Sequence, residues 1–116
     1  MKIPHKVRIK PKVSYSIVWV DRFDDPTVMG MCHPDLKQIH IKNGMSKAAT
    51  LKTFIHELLH AIEFAYEIKI EHKTIYSLED PLFYIFAYNA SIDSLIKSFA
   101  PAKSKKAIAK KRGLSL

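Results

Sequence analysis

The chain has 116 residues, 47% apolar and 26% charged, with 19 Lys/Arg against 11 Asp/Glu and a formal net charge of +8. This is ordinary globular composition at a length that supports one modest core, which argues against two domains. The single cysteine, Cys32, excludes an intramolecular disulfide and a four-cysteine zinc ribbon, and the absence of any long apolar run excludes a bilayer-spanning helix, so the expectation is a soluble, cytoplasmic protein.

Residues 1–12 read as a basic N-terminal arm with no apolar leader core. In "VSYSIVWVDRF" the side chains of Val13, Tyr15, Ile17 and Trp19 fall on one face of a strand, and Ser14, Ser16, Val18 and Val20 on the other. "VMGMC" and "KQIHIK" flank His33-Pro34-Asp35, where Pro34 presets a tight turn, so the two runs form a hairpin. Together these predict a small, twisted, mainly antiparallel sheet. Ser46 then suits the N-cap of a helix from about Lys47 to Glu67, whose Leu51, Phe54, Ile55, Leu58, Leu59, Ile62 and Tyr66 make an apolar stripe for the sheet. A second helical pattern runs from about His72 to Phe99, and Pro81 either kinks it or opens a fresh helix capped by Asp80. The expected fold class is α+β, with a domain over 13–100 and a basic tail over 101–116.

Charge is unevenly placed along this order. Five Lys/Arg lie in 1–12 and seven in 97–116, which leaves seven in the body against all 11 Asp/Glu. Basic ends of this kind suit contact with nucleic acid or an acidic partner, and equally serve as solvated termini.

The first helix carries H-E-L-L-H at residues 56–60. Residues four apart share a helix face about 6 Å apart, so His56 and His60 can reach one ion. Zinc takes neutral imidazole nitrogens, and a catalytic site keeps one position for a water whose pKa falls to about 7. Glu57, about 100° around the helix, is then placed as general base without being a ligand. The surrounding residues, Thr53 to Ile55 and Leu58, Leu59, Ala61 and Ile62, carry no charge, which separates the motif from a merely solvated helix face.

"HELLHAIEFAY", preceded by the strand pair around "MGMCHPDLKQIHI" and followed by "SLEDPL", resembles the small single-domain zincin metallopeptidases often encoded by bacteriophages, which are related to minimal gluzincins and SprT-like domains. The resemblance covers roughly residues 13–95, and only the H-E-L-L-H core is specific. It implies a helix under a short twisted sheet, a peptide substrate lying antiparallel to an edge strand, a third ligand from a later helix, and, for a phage protein, location in the host cytoplasm. The Gly and third His of metzincins do not follow the motif.

For the third ligand, the gluzincin pattern implies Glu79, whereas His72 would give a His₃ site nearer the SprT-like arrangement, and Asp80 is a further candidate. Glu63, roughly 10.5 Å along a straight helix from His56, is expected beside the ligands or in solvent. Tyr76 is a candidate hydroxyl donor one turn before Glu79. The expected site is therefore zinc held by His56, His60 and Glu79, with Glu57 as general base in peptide-bond hydrolysis. The rival expectation is a non-catalytic zinc-containing nucleic-acid or protein-binding module acting through its basic termini. His5, His33, His40 and Cys32 receive no role, His40 being expected to point away from Ile39 and Ile41.

Overall fold

In the computed structural model, which describes residues 3–99, the alternating run becomes strand β2 (Val13–Val20), and its apolar face carries the core. Strand β1 (Lys6–Lys10) lies within the span expected as an arm and pairs antiparallel with β2, after a turn in which Pro11 presets φ and Lys12 takes a left-handed φ of 68°. Strands β3 (Gly30–His33) and β4 (Gln38–Lys42) form the expected hairpin, closed by Leu36 N–H to His33 C=O at 3.2 Å. The sheet order is β1-β2-β4-β3; β1–β2 and β3–β4 pair antiparallel, as a mainly antiparallel sheet requires, and β2–β4 pair parallel, so the sheet is mixed. The cause is the return path: β3 occupies the edge and hands β4 back beside β2 in the same direction.

Helix α1 (Lys47–Tyr66) starts where expected, with the Ser46 hydroxyl accepting from Ala49 N–H at 3.1 Å. Its end is a left-handed Glu67 at φ 54°, whose N–H bonds to Glu63 C=O. Tyr15, Ile17, Ile39 and Ile41 of the sheet and Phe54 and Ala61 of α1 form the buried cluster, with Val7, Cys32, Leu51 and Leu58 packed on it. Each such aliphatic side chain contributes about 1.5–3 kcal/mol by leaving water. The sheet-facing stripe differs from the expected one. Glu57 is 6% exposed within it, while Tyr66 is exposed and donates its hydroxyl to Ile9 C=O at 3.0 Å.

Helix α2 (His72–Tyr88) continues through Pro81, and α3 (Ala90–Phe99) follows Asn89, so the break falls at Asn89 and not at Asp80. Asp80 instead pairs with Lys52 Nζ at 3.0 Å. The chain divides into two units, residues 1–84 and 85–116. The first holds the sheet, α1 and most of α2; the second holds the end of α2 and α3. The basic tail expected over 101–116 lies outside the described residues. No helix among the described residues is long and apolar enough to cross a membrane.

Candidate metal centre

Edge strand β3, α1 and the first half of α2 enclose a cleft of about 890 Å³ within the first unit. Met29, Gly30, Met31 and Cys32 line one wall; His56, Glu57, His60 and Phe64 line the second; His72, Tyr76 and Glu79 line the third. Gly30 is what lets α1 come this close to β3. A Cβ there would lie 2.5 Å from Thr53 Cγ2 and 3.1 Å from Glu57 Cγ.

The imidazole Nε2 atoms of His56, His60 and His72 converge. His60 Nε2 is 3.2 Å from His56 Nε2 and 3.2 Å from His72 Nε2, and the three ligand atoms lie within 4.8 Å of one another. Two nitrogens each about 2.0–2.1 Å from a tetrahedral ion stand ~3.3 Å apart, so both 3.2 Å spacings are compatible with one shared ion.

Carboxylates fix the far side of two rings. His56 Nδ1–H donates to Glu79 Oε2 at 2.5 Å, and His60 Nδ1–H donates to Glu63 Oε1 at 2.8 Å. Glu63 is held in turn, its Oε2 accepting the Ile70 N–H at 2.8 Å. A carboxylate can only accept, so the proton sits on each Nδ1 and leaves the Nε2 lone pair pointing into the cluster. Lone pairs facing each other at 3.2 Å repel, and a cation among them converts that repulsion into ligation.

Glu79, expected as a ligand, thus has its carboxylate on the Nδ1 edge of the His56 ring, while His72 presents Nε2 with the two motif histidines. Spacing carried this signal: His72, Tyr76 and Glu79 stand at i, i+4 and i+7, on one face of α2. Tyr76 is 59% exposed, with its ring 5.1 Å from the rings of both His56 and His72. Glu63 sits beside His60, whose Nδ1 it meets at 2.8 Å.

Burial pushes the Glu57 carboxyl up to about 7; His60 opposes the rise and the charge of Glu79 adds to it. For Glu63 burial acts upward, but the Ile70 N–H, the His60 hydrogen bond and the nearby imidazoles outweigh it and hold the group below the usual carboxylate range. The Cys32 thiol is pushed up to about 12 by burial and by Glu57 and Glu63, so it is a small apolar wall group and no nucleophile. His40 points to the other face of the sheet, its ring 4.3 Å from that of His33. Comparison with protein-family models, curated proteins and solved structures finds no match for this chain.

Proposed function

We propose that the protein is a zinc-dependent metallopeptidase of zincin type, with His56, His60 and His72 as ligands and Glu57 as general base. The observation that carries this reading is the convergence of three Nε2 atoms, two of them oriented by carboxylates, beside a buried glutamate one residue from a ligand. Three neutral nitrogens suit zinc, and three protein ligands are the number found in catalytic rather than closed structural sites. A zinc ion held there supplies Lewis-acid polarisation of the scissile carbonyl and acidifies water.

The chain's own residues do the rest. Glu57, buried one residue from His56, would accept a proton from the attacking water and return it to the leaving amine. Glu79 and Glu63 hold His56 and His60 in one tautomer and one orientation. Tyr76 brings a hydroxyl donor to the cleft. Met29 C=O accepts the Lys42 N–H, and the antiparallel alternation then leaves the N–H and C=O of Gly30 and Cys32 facing the free edge of β3, where an extended peptide can add as a further strand. On this reading the His₃ set resembles the SprT-like arrangement more than the gluzincin one.

The test is the pair of zinc content and hydrolysis in wild type and Glu57→Gln. Wild type should hold about one zinc per chain and cleave an unfolded protein substrate. Glu57→Gln should keep the zinc and lose cleavage, because an amide cannot take the proton. Loss of zinc from Glu57→Gln, or no zinc uptake by wild type, overturns the proposal.

A further inference from the structure

The sheet has a second face, of whose residues only Met31 of edge strand β3 also lines the cleft. Cross-strand register places its residues: Arg8 opposite Ser14; Lys6, Ser16, Gln38 and His33 in one row across all four strands; Val18, His40 and Met31 in the next; and Val20 beside Lys42. Helix α1 covers the opposite face, where Tyr15, Ile17, Ile39 and Ile41 are buried. None of the outer-face residues is buried.

Three features of this face point the same way. The four strands carry no Asp or Glu, whereas the acidic residues of the chain lie in loops, such as Asp35 of the β3–β4 turn, and in the helices. The row Lys6-Ser16-Gln38-His33 offers hydrogen-bond donors from every strand over roughly 14 Å, at about 4.8 Å per strand. His33 and His40 set two partly exposed imidazole rings 4.3 Å apart at one end, with His40 Nε2 held by Gln38 Oε1 at 2.9 Å.

We infer that the outer sheet face is a binding surface for single-stranded nucleic acid, with Lys6, Arg8 and Lys42 on phosphates and the rings of His33 and His40, tilted 55° to each other, as separate stacking faces for bases. Charge complementarity favours a polyanion. Among polyanions, a lipid surface would call for an exposed aromatic or aliphatic anchor, and this face shows only Met31 at 39% exposure. A four-stranded sheet is too broad to enter a duplex groove but can support an extended strand, whose bases stack on flat rings such as imidazole. This surface takes Lys6 and Arg8 from the N-terminal basic segment as ordered residues of β1, uses nothing from the C-terminal basic tail, and does not depend on the metallopeptidase reading.

The experiment is fluorescence anisotropy of the full chain with fluorescein-labelled dT20, titrated across salt concentrations. Removing three phosphate contacts should make the log–log salt slope shallower by about 2 and weaken binding by roughly 100-fold at 0.1 M salt. The triple variant Lys6→Gln/Arg8→Gln/Lys42→Gln should show that loss with both termini otherwise intact. A control of equal charge change, Lys47→Gln/Lys69→Gln/Lys73→Gln, should bind within a few-fold of wild type. Equal losses in the two variants, no loss in either, or tighter binding to a 20-bp duplex overturns the inference. Amide chemical-shift mapping on the unmutated chain gives an independent reading: dT10 should perturb Ser14, Ser16, Gln38, His40 and Lys42, and shifts confined to α1 and α2 would overturn it.

Discussion

In the proposed metal centre His72 and Glu79 take different roles, His72 presenting Nε2 beside those of His56 and His60 and Glu79 accepting from His56 Nδ1. Removing a ligand costs a metal bond, whereas removing an orienting carboxylate lowers affinity by about 10 to 100-fold. In a competitive chelator titration, His72→Ala should therefore weaken zinc binding by more than 100-fold and Glu79→Gln by less. The opposite ranking would return Glu79 to the ligand set. Glu57 makes a second prediction for the metal-free protein. Its folded pKa of about 7 lies above the ordinary 4.5, so between these values the folded chain holds one proton more than the unfolded chain. The stability this contributes is fully present below about pH 4.5 and is lost as pH rises through 7. Subtracting denaturant stabilities of chelator-treated Glu57→Gln from wild type should give a difference that shifts by roughly 3 kcal/mol against wild type between pH 5 and 8. A pH-independent difference would mean that Glu57 is better solvated than the structure indicates.

Among the elements, the close contact of α1 with β3 sets where Glu57 can stand. Gly30 is the point of contact, and the methyl of Thr53 is the first obstacle to any side chain there. Thr53 is β-branched and a helix restricts its χ1 to two rotamers, so its methyl has little freedom to move aside. Gly30→Ala should destabilise the protein by about 1–3 kcal/mol, the range for an extra methyl forced into packed space. It should also reduce hydrolysis by displacing Glu57, whose Cγ is the next atom met. Thr53→Ser removes the clashing methyl, so the double variant should recover much of the stability, as read by urea midpoint. Failure to recover would place the strain on Glu57 or the backbone.

For the molecule as a whole, the proposed ion adds to the His56–Glu79 and Lys52–Asp80 contacts that already join α1 to α2. His56 and His60 belong to α1 and His72 to α2, so an ion bound by all three favours the folded chain over the unfolded one. At free zinc 1,000-fold above its dissociation constant the gain is about 4 kcal/mol. For a domain of this size that raises Tm by more than about 10 °C. A thermal scan with zinc and with excess chelator should show this difference in wild type and most of it lost in His72→Ala. An unchanged Tm in wild type would sink the metal centre itself.

Several parts of this protein were legible in its sequence because their signals are local. Alternation placed β2 and its buried face, Pro34 marked the β3–β4 turn, Ser46 capped α1, and H-E-L-L-H paired His56 with His60 because four residues make about one helical turn. Strand β1 was missed since "KVRIK" reads as charge, although its alternate Val7 and Ile9 reach the core. The parallel β2–β4 pairing is long-range and leaves no mark on either strand. Glu57 inside the sheet-facing stripe was equally invisible, because the space it occupies comes from Gly30, 27 residues away. The third histidine depended on how α2 lies across α1. Spacing along a chain fixes which side chains share a face, and only the packing of one face on another decides which of them meet at a point.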